Sequence, residues 1–341
     1  MLTSIHIEGF KGFKDTLIAP MRKVNLILGG QNVGKTSLLE AVYLGASHIN
    51  NFQQLPTLFR LAEGRDSQRY LQSVLGGNAE WRVGLGDDLG KMLHTINNSD
   101  ENNFNLGFLE IDGIKIRRFI DGKKITSAKH AFFNELDGKV SDLESPEDAE
   151  KKINFLNPLA VSVHLPNQLA VAQLFDKTIM TRKKKILLEM LRRIEPRLED
   201  MHSLSPDGEQ RIYVELEGDG EALPLPQLGH GFSRLVYLYC SLLVTDAKLA
   251  LIDEVENGIH YSSLPTLFQG IQDIAAKHDV QTLMTTHSWD CIRAAYKTFA
   301  DAGKLEDFQL IRLERDNENI RAVMINDEML DTVMEAGYEV R

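Results

Sequence analysis

The sequence predicts an α/β fold built on a parallel core sheet, and three observations predict it. A compact apolar run, Val24–Leu28, enters a glycine-rich turn. The turn leads into Ser37–Leu44, whose apolar residues cluster on one helical face. Three further apolar runs, Leu249–Ile252, Thr282–Thr285 and Phe308–Arg312, are separated by helical patterns, the arrangement of strands joined by crossovers.

Taken in order, residues 1–28 read as two or three strands, with Ile5, Ile7 and Phe10 in one segment and turns at Gly12 and Asp15. This is the start of an N-terminal antiparallel β lobe. Residues 46–155 differ in character and read as an α/β insertion between the two halves of one domain, 1–45 and 156–341. The insertion holds a polar stretch, Asn97–Asn105, and the turn pairs Asp112-Gly113 and Asp121-Gly122, which bracket Ile114–Ile120 as in a β-meander. Its end, Asp137–Lys152, is polar and reads as a mobile connection. Beyond it, Leu159–Leu165 is a predicted strand and Thr181–Asp200 a predicted long helix with a basic start, Arg182–Lys185. A hairpin follows through Ile212–Leu216 and the turn Gly218-Asp219-Gly220.

Composition narrows the function classes. Hydrophobic residues make up 43% of 341 and charged residues 26%, enough for a sizeable core. The net charge of −11 argues against a protein whose whole exterior coats nucleic acid, and leaves room for one basic channel. Cys240 and Cys291 form no CxxC pair or ligand cluster and read as small buried hydrophobes in a reducing compartment. The N-terminus lacks the pattern of a secretory signal. The longest apolar run, Leu235–Val244, is too short to span a bilayer, so a cytoplasmic chain without membrane partners is expected.

The glycine turn carries the strongest signal. Gly29, Gly30, Gln31, Asn32, Val33, Gly34, Lys35 and Thr36 fit GxxxxGK[ST] at every fixed position, between a strand and a helix, with Ser37 next in line. Backbone amides of such a loop wrap phosphates, and the helix offers its positive N-terminus. Lys35 is expected to reach the β- and γ-phosphates of ATP, and the Thr36 hydroxyl to ligate Mg²⁺. A second site follows from Leu249–Ile252, which ends in Asp253 and Glu254. Paired with the loop, Asp253 is expected beside Mg²⁺ and Glu254 beside the attacking water. Lys35 and Asp253 are 218 positions apart, which calls for the insertion between them.

With these residues in hand, the chain resembles the ABC-type ATPase heads of the RecF, SMC and OLD class, a P-loop NTPase fold with a mixed sheet. The likeness is carried by Ile5–Phe13, Gly29–Leu39, Leu251–His260, Thr285–Ser288 and Gly337–Arg341. Gln31 stands where that class usually has Asn, and Val255 and Tyr261 replace its usual prolines. The resemblance implies that His287 contacts the γ-phosphate. It also places a signature segment at Gly229, His230 and Gly231, although Gly229 lacks the usual serine. That segment would cap a partner subunit's ATP, implying a head-to-tail homodimer or higher homo-oligomer. Gln168, in preference to Gln173, is the expected metal-side glutamine of the class.

The chain lacks the heptads of a coiled coil and room for a TOPRIM module, so a stand-alone head is expected, controlling a separately encoded effector, a nuclease or toxin, in anti-phage defence. The alternative is a RecF-like ATPase that binds DNA in repair or maintenance. Arg117, Arg118, Lys123, Lys124 and Arg182–Lys185 are its candidate phosphate contacts, and a solvated surface accounts for the same charges. A transporter subunit fits poorly, because the segment after Glu254 and the missing serine both depart from that pattern.

Overall fold

The computed structural model describes residues 1–46, Phe59 and 158–325, together with the backbones of the strands between 81 and 142. Strands β1 (Leu2–Phe10) and β2 (Phe13–Ile18) form a hairpin, and β3 (Val24–Gly29) enters the loop before α1 (Lys35–Ala46). Six strands follow: β4 (Trp81–Asp87), β5 (Gly90–Asp100), β6 (Asn103–Ile111), β7 (Ile114–Asp121), β8 (Lys124–Asn134) and β9 (Val140–Asp142). They extend the N-terminal hairpin into one antiparallel sheet of order β2-β1-β4-β5-β6-β7-β8-β9, with Ile5 opposite Leu85 at the junction. The meander expected around Ile114–Ile120 is part of this sheet. The described part of the insertion is strand apart from Ala46, which ends α1, and Phe59, which is helical. Lys123, most of the polar stretch 137–152 and the closing Gly337–Arg341 lie outside the described residues.

The second half supplies β10 (Leu159–Val161), α2 (Gln168–Met180), α3 (Lys184–Arg192), β11 (Leu198–Leu204), β12 (Arg211–Leu216), β13 (Leu223–Pro224), α4 (His230–Val244) and β14 (Leu249–Ile252). It continues with α5 (Leu264–His278), β15 (Gln281–Thr285), α6 (Trp289–Asp301), β16 (Phe308–Asp316) and β17 (Asn319–Ile325). The central sheet has the order β10-β14-β15-β3-β16-β17, parallel throughout except for β17.

Strands buried on both faces need apolar residues on both. Leu26 and Leu28 of β3 and Ile252 of β14 join one core with Phe175, Leu235 and Phe268. Ile27, Leu251 and Leu283 join the other, with Leu38 and Val42 of α1 and Ile5 and Ile7 of the lobe. Asn25 interrupts the apolar run of β3 and is fully buried, yet its side-chain amide donates to the Thr282 and Arg22 carbonyls. Gln281 pins the lobe to the sheet: its Oε1 accepts from the Leu2 amide at 2.7 Å and its Nε2 donates to the Leu2 carbonyl at 2.8 Å.

Two sequence expectations are corrected here. The helix expected over Thr181–Asp200 is broken. α2 ends before Arg182, which has φ 58°, α3 ends at Arg192, and Leu198–Leu204 is a strand. Pro196 explains the second break, since it supplies no amide donor and disfavours helix at Glu195. The strand expected over Leu159–Leu165 stops at Val161, because the next two carbonyls are taken by side chains, those of Arg234 and Asn257. No described helix is long and apolar enough to cross a membrane.

Candidate nucleotide site

Strand ends build the site. Parallel neighbours β14, β15 and β3 all finish at one edge of the sheet, so their carboxyl ends meet there, the usual position of a ligand crevice in open α/β sheets. From β3 the chain turns through Gly29, whose φ of 150° and close neighbours exclude a side chain. A Cβ there would lie 2.7 Å from the Leu313 carbonyl oxygen and 2.8 Å from Val33. Asn32 has φ 58°, and Gly34 has φ 102° just before α1. The chain thereby wraps back on itself and starts the helix at Lys35, with Thr36 and Ser37 in the first turn, where amides lack intrahelical acceptors.

Lys35 is 5% exposed, and its Nζ donates to the Gly29 carbonyl at 2.7 Å and the Gly30 carbonyl at 2.9 Å. Burial holds its pKa below the ordinary lysine value, opposed by Asp253, Glu254 and Glu256. A buried cation fed only by neutral carbonyls is suited to an anion placed in the loop.

Asp253 joins the two halves of the molecule. Its Oδ2 accepts from Thr36 Oγ1 at 3.0 Å, and its Oδ1 accepts from Thr285 Oγ1 at 2.6 Å. The Asp253 amide donates to the Val161 carbonyl at 3.2 Å. Beyond it, Glu254 has φ 44°, the left-handed region that non-glycine residues seldom occupy outside turns and active sites. The Glu254 amide is held by Thr285 Oγ1 at 2.8 Å, and the Val255 amide by the Thr285 carbonyl at 3.0 Å. This backbone turn leaves the Glu254 side chain 44% exposed, with His287 Nε2 3.9 Å from its Oε1. His287 is placed by its own amide, which donates to Glu256 Oε1 at 2.9 Å.

The structure therefore gathers Lys35, Thr36, Asp253, Glu254 and His287 around one edge. Gly229, His230 and Gly231 lie elsewhere, at the start of α4, against the turn after Glu254; a Cβ on Gly231 would meet the Gly258 carbonyl oxygen at 2.7 Å. Gln168 opens α2, exposed, beside a cavity of about 290 Å³ that His230 and Ser233 also line. Neither Gln168 nor the 229–231 segment shares in the hydrogen bonds that join Lys35, Thr36 and Asp253. Sequence reasoning assigned no role to Thr285 or Glu256, which position the acids and the histidine. A threonine closing an apolar strand was the available signal, but only the strand order shows which acid it faces.

The residues fit a magnesium nucleotide. At Gly30 the loop backbone faces open space, with no atom within 4 Å of where a Cβ would stand, Lys35 supplies a buried cation, and Thr36 with Asp253 offers the hard oxygen donors Mg²⁺ prefers.

Known proteins resemble the chain in sequence and in fold. Residues 24–290 match the family described as "AAA domain, putative AbiEii toxin, Type IV TA system". The chain is 21% identical to a Helicobacter pylori protein named ATP/GTP phosphatase, covering 94% of each. It is 38% identical to the DNA replication and repair protein RecF of Shewanella baltica over 96 residues, 24% of this chain and 26% of that protein. Among solved structures, the SMC head domain of Thermotoga maritima has a TM-score of 0.50 at 12% identity, covering 95% of this chain and 99% of that one. An SMC head bound to the C-terminal winged-helix domain of ScpA has a TM-score of 0.52 at 12% identity, covering 98% and 99%. The chain belongs to this AAA-domain family, and its fold is that of an SMC- and RecF-like ABC-type ATPase.

Proposed function

We propose that this chain binds Mg²⁺-ATP at Lys35 and hydrolyses it with Glu254 as the base, and that the nucleotide state switches a homodimer whose shape a separately encoded effector reads in anti-phage defence. The observation that carries the chemistry is the Thr36–Asp253–Thr285 chain of hydrogen bonds, which leaves Glu254 free-standing beside His287. Lys35 neutralises charge on the terminal phosphates, and the amides of the 29–37 loop orient them. Mg²⁺, held by Thr36 and Asp253, supplies Lewis-acid charge when bound. The Glu254 carboxylate takes a proton from water as the water oxygen bonds to the γ-phosphorus, and the ADP oxygen leaves with the electron pair. His287 donates to the γ-phosphate side of the same pocket. Gly229–Gly231, at a helix start and outside this cluster, are disposed to cap the nucleotide of a second subunit. The toxin–antitoxin description of the family supports an effector-coupled role.

The RecF similarity supports a second reading, a DNA-bound ATPase. Against a broad DNA surface, two of the four charges in Arg182–Lys185 are engaged internally. Lys183 Nζ donates to the Leu243 carbonyl, and Lys184 Nζ pairs with Asp200 at 2.7 Å.

ATP turnover of wild type and Glu254→Gln, with particle size measured in parallel, tests the first reading. The variant is expected to keep ATP, lose hydrolysis and accumulate as the closed dimer. Unchanged turnover removes Glu254 from its role. ATP turnover stimulated by duplex DNA, with a steep salt dependence, favours the second reading.

A further inference from the structure

Arg234 stands five residues beyond Gly229, on α4, and is completely buried. A guanidinium stays protonated and carries five N–H donors, so a protein that buries one ordinarily surrounds it with acceptors. Here one donor is used: Nη1 donates to the Ser162 carbonyl. Nε and Nη2 meet no hydrogen-bond acceptor among the described residues. The ring of Tyr237, one turn along α4, sits 5.7 Å from the guanidinium carbon. Burial holds the arginine's pKa below its usual value, and Tyr237, Asp253 and Glu254 pull it back, so the site's own acids act on this charge through space.

What Arg234 holds is informative. Three successive carbonyls leave the end of β10, and each goes to a different part of the machinery. The Val161 carbonyl accepts the Asp253 amide at 3.2 Å. The Ser162 carbonyl accepts Arg234 from the signature-like helix. The Val163 carbonyl accepts Asn257 Nδ2 at 3.2 Å, from the turn after Glu254. That turn in turn carries Gly258, on which Gly231 packs. The start of α4 and the catalytic acids are thus fastened to one strip of backbone.

We infer that Arg234 is a positioning residue for hydrolysis, tying the Gly229–Gly231 segment to the backbone under Asp253 and Glu254, so that a nucleotide capped by that segment alters the register of the acids in the same subunit. The inference rests on hydrolysis at Glu254. Moving the β10 end by a fraction of an ångström moves the Asp253 amide with it, and displacements near 1 Å at a catalytic group cost about 10²-fold in rate.

Steady-state turnover and binding of a fluorescent ATP analogue, on Arg234→Lys and Arg234→Gln, test it. Arg234→Lys is expected to bind the analogue within about threefold of wild type while kcat falls about 10²-fold, since nucleotide grip and chemistry are separate here. In the Glu254→Gln background it is expected still to form the ATP-dependent dimer. Wild-type kcat in Arg234→Lys overturns the inference, as does a fall in kcat that only tracks lost folded or nucleotide-binding protein. Asn257→Ala, at a half-buried position, is the second variant. It releases the Val163 carbonyl and is expected to lower kcat about tenfold at unchanged KM, and full activity there also overturns the inference. A wild-type chain that binds ATP without turning it over sinks the underlying reading instead, and that result is seen before any variant is made.

Discussion

Thr285 Oγ1 donates to Asp253 Oδ1 at 2.6 Å and accepts the Glu254 amide at 2.8 Å. One hydroxyl at the end of β15 therefore fixes the direction of both acids. Thr285→Val keeps the volume and removes both bonds. It is expected to cost about 1–3 kcal/mol of stability, the price of leaving buried polar groups unsatisfied. It is also expected to lower kcat about 10²-fold. Thr285→Ser is expected to restore most of both. Chemical denaturation and steady-state turnover on the same preparations check this.

Lys35 makes an opposite prediction for the nucleotide-free protein. Its native pKa is depressed by burial, so its unfolded form binds the proton more tightly. The resulting cost to folding is fully present below the depressed value and disappears as the pH rises through it towards the unfolded one. Lys35→Met is therefore expected to leave the thermal midpoint unchanged or raised without nucleotide. The upward shift given by Mg²⁺-ATP is expected to vanish, and differential scanning fluorimetry reads both.

At Gly231 the neighbouring atom is backbone, the Gly258 carbonyl oxygen, which cannot swing aside. Gly231→Ala is expected to lose about 1–3 kcal/mol through overpacking. Nucleotide binding at Lys35 is expected to persist while the ATP-dependent dimer is lost, as light scattering with and without ATP will show.

Cys240 and Cys291 are both fully buried, and burial raises the pKa of each thiol. Thiolate is the reactive form, so neither is expected to react with an aromatic disulfide reagent in the native protein. Both are expected to react in denaturant, a stoichiometry that reports global unfolding.

How far the molecule could be read from its sequence depended on the range of the interaction. The phosphate loop was legible because the φ angles of Gly29 and Gly34 and the cation at Lys35 are local demands on residue type. The central strands were legible because burial on both faces forces continuous apolar runs. The break at Pro196 was also written in the sequence and was overridden by the apolar pattern on either side. Thr285 and Arg234 were invisible for a different reason. Their partners, Asp253 and the Ser162 carbonyl, are 32 and 72 positions away, and only the order of strands brings them together.

The position of β3 has a consequence for synthesis. This strand carries the loop, yet its two neighbours, β15 and β16, are made more than 250 positions later. Until then both its edges lack partners, and Asp253, Thr285 and the loop cannot meet. A ribosome-stalled nascent chain ending before Phe308 is thus expected to retain no ATP, however long it waits. The tunnel must release the residues through β16 before the much earlier loop acquires its function.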